Sequence, residues 1–182
     1  MEIFKPEIEG LLVITPKIFK DERGYFFESY NKEAFAKIGV SCEFVQDNQS
    51  FSKYGSIRGL HFQKPPFAQA KLVRVLQGKV FDVAVDLRAG STTFGKWFGV
   101  ELSEENAKMF YIPRGFAHGF SVLSETAVFA YKCDSFYNTG SEAGILYSSK
   151  ELGIDWKVQK GHEILSDKDK SYPEFNKNLK FF

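Results

Sequence analysis

Between residues 43 and 133 the chain repeatedly alternates apolar with polar side chains. Phe98, Val100 and Leu102 alternate with Gly99 and Glu101, as expected for a strand with one buried face. Leu72 to Leu76 and Val80 to Leu87 are dense in Val and Leu, and the Gln77-Gly78 step between them predicts a hairpin turn. Ser103 with Asn106 predicts a helical turn and Pro113 to Gly115 another turn; Ser121 to Leu123 and Thr126 to Cys133 follow as strands. Upstream, residues 8–30 read as two short strands around Lys20-Asp21-Glu22-Arg23-Gly24. One segment departs from the period of two. In KEAFAKIG, Phe35 and Ile38 lie three apart, which predicts a helix of about two turns with Asn31 as its cap and Gly39 as its end. Short strands separated by turns, with few and peripheral helices, predict an all-β jelly-roll barrel. The polar, Lys-rich C-terminal region is expected to wrap its outside.

A length of 182 residues suits a single domain spanning 1–182 and a proper hydrophobic core. Phe accounts for 20 residues, a surplus that fits a β-rich core and leaves rings available to stack on a flat ligand. Lys and Arg total 24 against 23 Asp and Glu, a formal charge of +1, which argues against nucleic acid as a partner. Cys42 and Cys133 stand in no metal or redox spacing. One disulfide is conceivable, but two thiols in a reducing cytosol is the expectation. The start MEIFKPEIEG is unlike a signal peptide, and runs such as Leu11 to Ile14 are too short to span a bilayer. A soluble cytoplasmic protein with no membrane partner is expected.

Two of the three histidines sit in suggestive contexts. His61 lies in IRGLHFQKPPFAQAKLV. Taken as a hairpin centred on Pro66, this segment sets His61 opposite Lys71 and Gln63 opposite Gln69, all four on one face. A base, an ammonium and two amides together are costly in a core and suit a pocket, although glutamine hairpins also occur on surfaces. His118 closes Pro113-Arg114-Gly115-Phe116-Ala117-His118, the PxGxxH spacing of the second cupin motif, which supports a cupin-type barrel. Metal-binding cupins resemble one another in a first motif with two histidines and a downstream carboxylate. Here Gln63 and Lys71 stand in those places, so no metal is expected. Without a metal, a His base beside an ammonium suits proton abstraction next to a carbonyl through an enolate. Tyr131 in VFAYKC is placed to point inward with Phe129 and return a proton. Asp169 in SDKDK is placed to orient His61. By pattern alone the first reads as a core tyrosine and the second as part of a solvated charge run. Arg23, Arg58, Gln46 and Asn48 offer donors for phosphates or a base, in a chain without a P-loop or a dinucleotide-binding glycine pattern.

DERGYFFES (21–29), FVQDNQS (44–50), IRGLHFQ (57–63), AQAKLVRVLQGKVFDVAVDLR (68–88), IPRGFAHGF (112–120), AYK (130–132), GIDW (153–156) and LSDKD (165–169) together resemble the dTDP-4-dehydrorhamnose 3,5-epimerases over nearly the whole chain. The resemblance implies a cofactor-free isomerase acting on the nucleotide sugar dTDP-4-dehydro-6-deoxy-glucose. Matching motifs make His61 the general base, Asp169 its partner, Lys71 the holder of the C4 oxygen and Tyr131 the acid. They assign substrate contacts to Gln46, Asp47, Asn48, Arg58, His118 and Glu142. Arg23, Phe26 and Glu28 match positions that reach the nucleotide across the interface of a homodimer. LYSSKE after Ile145 departs from the Trp-Asn-Asp-like sequence common there. Relatives that epimerise one carbon only, a metal-dependent cupin oxygenase and a non-catalytic sugar-nucleotide binding cupin are the alternative readings.

Overall fold

A computed structural model describes residues 1–178 and 181–182. The elements run β1 (Glu2–Phe4), β2 (Leu12–Thr15), β3 (Phe19–Asp21), β4 (Gly24–Phe26), α1 (Lys32–Lys37), β5 (Gln46–Lys53), β6 (Ile57–Gln63) and β7 (Lys71–Gln77). They continue with β8 (Lys79–Asp86), β9 (Trp97–Ser103), β10 (Met109–Ile112), β11 (Phe116–Val122), β12 (Thr126–Cys133), β13 (Glu142–Gly144) and α2 (Asp167–Ser171). Two antiparallel sheets face each other, one ordered β1-β2-β10-β7-β12-β5 and the other β13-β6-β11-β8-β9. β3 and β4 form a separate two-stranded hairpin. The expected all-β jelly roll with short peripheral helices is what the chain builds.

The local signals hold at several ends. Asn31 caps α1, its Oδ1 accepting from the Ala34 N–H at 3.0 Å, and Phe35 is the residue that α1 buries. The Ser103 hydroxyl accepts from the Asn106 N–H and the Asn106 side chain accepts from the Ser103 N–H, both at 3.1 Å. That reciprocal pair closes one turn and no helix follows.

Both expected hairpins are absent. β7 lies in the six-stranded sheet and is flanked by β10 and β12, whereas β8 lies in the five-stranded sheet between β11 and β9. Gly78 carries the chain from one sheet to the other with φ +79°, and a Cβ there would stand 2.1 Å from the Thr126 carbonyl oxygen, so the site admits only glycine. Likewise β6 pairs with β11 and β13, never with β7. No ladder is centred on Pro66; the Pro65-Pro66 turn is a corner between sheets.

Three apolar layers follow from the alternation. Val73, Val75, Val80, Ala84, Phe110, Phe120 and Phe129 fill the space between the sheets. The outer face of the five-stranded sheet, with Leu60, Phe81, Val83 and Val85, is covered by Leu152, Trp156 and Phe175 from the C-terminal region, as expected for a wrapping tail. α1 and the segment after it cover Leu12, Ile14, Leu72 and Tyr111 on the other side.

Candidate active site

β6 owes its usefulness to an irregularity. His61 pairs with His118, but Arg58 pairs with Phe120, so three residue steps on β6 oppose two on β11. The extra residue turns Arg58 and His61 to the same inner face, which a regular strand forbids for residues three apart. Gly59 makes this possible. Its φ is +140°, and a Cβ there would lie 2.4 Å from the Gly119 Cα.

The period of two then sorts the other strands. On β12, Phe129, Tyr131 and Cys133 turn inward; their partners on β5 are Ser50, Asn48 and Gln46, and Lys71 on β7 lies beside Cys133. Apolar side chains fill one end of the barrel, while polar ones line a cavity of about 240 Å³ at the other, bounded by Gln46, Asn48, His61, Gln63, Gln69, Lys71, Tyr131 and Glu142 among others. The four side chains grouped by a mistaken register, His61, Gln63, Gln69 and Lys71, thus do share one pocket, from facing sheets. Gln63 has a structural task. Its amide donates to the carbonyls of Phe67 and Phe136 and accepts from the Asn138 N–H.

His61 Nε2 lies 2.5 Å from Asp169 Oδ1. A carboxylate only accepts, so the ring proton sits on Nε2 and the lone pair on Nδ1. Asp169 is buried, at 4% exposure, rather than part of a solvated run. Burial works against its charge, but hydrogen bonds from His61, Ser166 and the Gly59 N–H outweigh it and hold its pKa below the usual carboxylate value. Lys71 places its ammonium 5.8 Å from the Tyr131 ring centre. Burial pushes the Lys71 pKa down, opposed by Cys133, Asp82 and Glu142. Burial, with the neighbouring Cys133, pushes the Tyr131 pKa up, so the phenol keeps its proton at neutral pH. A base on one sheet faces an ammonium and a phenol on the other.

The model of the dTDP-4-dehydrorhamnose 3,5-epimerases matches residues 5–177. A dTDP-4-dehydrorhamnose 3,5-epimerase of Shigella flexneri is 54% identical over 170 residues, 93% of each chain. The crystal structure of the corresponding Elizabethkingia anophelis enzyme shares 55% identity at a TM-score of 0.92 and covers 96% of each chain. That of a dTDP-6-deoxy-D-glucose-3,5-epimerase of Legionella pneumophila, in complex with dTDP-4-keto-L-rhamnose, shares 49% identity at 0.92, covering 95% of this chain and 92% of that one. The chain belongs to the dTDP-4-dehydrorhamnose 3,5-epimerase family.

The remaining residues assigned from the epimerase resemblance fall into three groups. Gln46, Asn48 and Glu142 line the cavity, and Arg58 donates through Nε to Ser52 at 2.9 Å, its charge opposing the rise that burial gives the Tyr131 pKa. Asp47 points to the opposite face, where Lys132 pairs with it at 2.9 Å, beside a second depression of about 450 Å³ that also touches Asn48 and Tyr131. His118 sits deeper than a substrate contact requires. It is 6% exposed, off the cavity lining, and its Nε2 donates to both oxygens of the buried Asp82 at 3.0 Å. Burial lowers the His118 pKa and raises that of Asp82. Arg23, Phe26 and Glu28 stand outside the cavity. Arg23 pairs with Asp21 at 2.6 Å, Phe26 is 69% exposed, and Glu28 accepts from Asn31 at 3.0 Å.

The epimerase site also holds groups that the sequence reading did not single out. Asp82 is the polar interruption of an apolar strand, VFDVAV, which was its signal. Lys168 pairs with Glu142 at 2.5 Å, and Tyr137 donates to the same carboxylate at 2.7 Å. Both lie in segments that resemble ordinary surface.

Proposed function

We propose that this epimerase inverts C3 and C5 of dTDP-4-dehydro-6-deoxy-glucose with its own side chains. A proton on a carbon next to the C4 ketone is acidic because its removal sends the electron pair onto the ketone oxygen. His61, with Nδ1 free and Nε2 tied to Asp169, takes that proton. Lys71 donates to the C4 oxygen as it becomes an enolate. Such stabilisation is worth roughly 10²–10³ in rate, and a placed base roughly 10²–10⁴. An ammonium whose burial loosens its hold on a proton is suited to a developing oxyanion. Tyr131 then gives its phenolic proton to the opposite face of the carbon, the enolate collapses to the ketone, and solvent restores both side chains. The observation that carries this reading is the placement of His61 and Tyr131 on facing sheets across one cavity with Lys71 beside the phenol.

A cavity of about 240 Å³ is below the range of pockets that enclose a whole drug-sized ligand. The sugar therefore enters it and the nucleotide lies outside. Gln46, Asn48, Arg58 and Glu142 line the way, Asp47 borders it, and His118 supports the wall from behind. Arg23, Phe26 and Glu28 project from their own hairpin region to the nucleotide held by a second copy, as the reading of a homodimer requires. Two free thiols, Cys42 and Cys133, support a cytoplasmic setting.

The test is incubation with dTDP-4-dehydro-6-deoxy-glucose in D₂O, followed by NMR. Deuterium entering at both C3 and C5, and at neither in His61→Ala, is the expected result. Incorporation at one carbon only would make this a single-site epimerase. Incorporation at neither would rule out this substrate.

A further inference from the structure

We propose that Ser166 is a positioning residue for His61, acting through Asp169. The inference rests on the His61–Asp169 pair being the base of the reaction.

Asp169 is a buried carboxylate with two oxygens to satisfy. Oδ1 meets His61 Nε2 at 2.5 Å, and Oδ2 accepts from the Ser166 hydroxyl at 2.6 Å. The same hydroxyl oxygen accepts from the Asp169 N–H at 3.1 Å. Ser166 thus closes a ring through the main chain and side chain of one residue and fixes both the position and the rotation of the carboxylate. A hydrogen bond to a charged group is stronger than one between neutral groups, and a buried acceptor left without its donor loses it. Remove the hydroxyl, and Asp169 is free to turn about its side-chain bonds, carrying the His61 proton with it. A shift of that kind reduces the fraction of time that Nδ1 points at the substrate carbon.

The surroundings make the carboxylate depend on this contact. Tyr172 packs edge-on against His61, with ring centres 5.6 Å apart, and blocks one side. The charged and titratable groups facing the pair are His118 on β11, Glu142 on β13, and Lys168 and Tyr172 beside Asp169. Lys168 is engaged with Glu142. Besides His61 and Ser166, the Gly59 N–H also holds the Asp169 charge by a hydrogen bond.

Ser166 is also the N-cap of α2, so loss of activity alone would not separate a cap from a positioning contact. Glycine does separate them. It is well tolerated at a cap but carries no hydroxyl. In Ser166→Ala and Ser166→Gly, kcat should fall roughly tenfold with KM within about twofold. The pH profile of kcat/KM should also change in both variants, because the carboxylate facing His61 has lost its second donor. The downfield proton NMR signal of the His61–Asp169 hydrogen bond should shift or broaden in both variants. Ser166→Thr, which keeps the hydroxyl, should restore rate, profile and signal. Full rate in Ser166→Gly, with only a lowered melting temperature in Ser166→Ala, would reduce Ser166 to a cap and overturn the inference. So would an unmoved pH profile and NMR signal in both variants. Asp169→Ala separates the levels: if it keeps full activity, the base assignment itself fails; if it is inactive while both Ser166 variants are fully active, only the present inference fails.

Discussion

In the proposed mechanism, Tyr131 is the side chain that decides between exchange and inversion. A base that removes a proton and returns it to the same face gives back the starting sugar, now carrying solvent hydrogen. Only a donor on the other face inverts the carbon. Tyr131 is placed for that task by the inward turn of Phe129, Tyr131 and Cys133 on β12, and burial keeps its phenol protonated. In Tyr131→Phe, inverted product should therefore fall by roughly 10²-fold or more, while deuterium still enters next to the ketone from the His61 side. One NMR time course in D₂O reports both quantities, and a parallel fall in the two would remove Tyr131 from the role of acid. Of the residues of the proposed mechanism, Lys71 and His61 stood out by chemistry unusual for apolar strands, whereas Tyr131 in VFAYKC reads by pattern as a core tyrosine and drew its role from resemblance. Asp169 was legible only through resemblance, since a carboxylate in SDKDK looks solvated until the fold buries it. Ser166 gave no signal, because a serine before a helical turn is an ordinary cap. Asp82 did give one, as a charge inside an apolar strand that only a buried partner such as His118 explains.

At the scale of elements, strands were readable and their partners were not. Alternation fixes which residues share a face; the resemblance grouped Gln46, Asp47 and Asn48 together, and the pleat of β5 puts Asp47 on the other face from Gln46 and Asn48. Pairing depends on contacts distant in sequence, and here most successive strands from β5 to β12, β8 and β9 excepted, go to opposite sheets. Gly78 and the Pro65-Pro66 corner therefore looked like hairpin turns although each joins two sheets. The bulge on β6 was also hidden, because an extra residue in a strand has no compositional mark other than Gly59 itself. The loop after β8 shows what an element end can contribute to stability. Asp86 is fully buried, at 0% exposure, and its carboxylate accepts from the Arg88 guanidinium and from the hydroxyls of Ser91 and Thr93, all within 2.7–2.9 Å. Burial opposes the charge, yet these bonds prevail and hold the pKa at about 2, against 3.8 for the free side chain. A depressed folded-state pKa gives stability that is fully present above the unfolded value and is lost as pH falls through the folded one. Asp86→Asn should therefore cost roughly 2 kcal/mol at pH 7. That deficit should shrink as the pH is lowered from about 4 toward 2, which denaturant melts of the two proteins across that window would show. A gap that stays constant would mean that the charge of Asp86 contributes nothing.

The whole molecule raises the question of what completes the site. In the proposed mechanism one chain supplies a base, an ammonium, an acid and a cavity with room for a sugar. Its remaining nucleotide candidates, Arg23 and Phe26, sit on a separate two-stranded hairpin with Phe26 and Tyr25 exposed at 69% and 66%. Large aromatic rings at such exposure on a projecting arm need a surface to cover them, and a second copy offers one of matching shape by symmetry. If two copies exchange arms, each site takes its catalytic residues from one chain and its Arg23 from the other. Two inactive variants then become complementary. His61→Ala lacks the base but keeps a sound arm; Arg23→Ala lacks the arm's guanidinium but keeps a sound base. In a mixed dimer, the site built on the intact His61 receives the intact Arg23, and the second site is doubly defective. Random pairing of equal amounts makes about half of the dimers mixed, so about a quarter of the sites should recover wild-type character. The measurement is epimerase activity after the two variants are mixed, dissociated and reassembled, compared with each variant treated alone. Recovery toward that fraction places Arg23 in the neighbour's site. Activity that remains the average of the two single variants would confine each site to one chain, and the exposed hairpin would then need a different explanation.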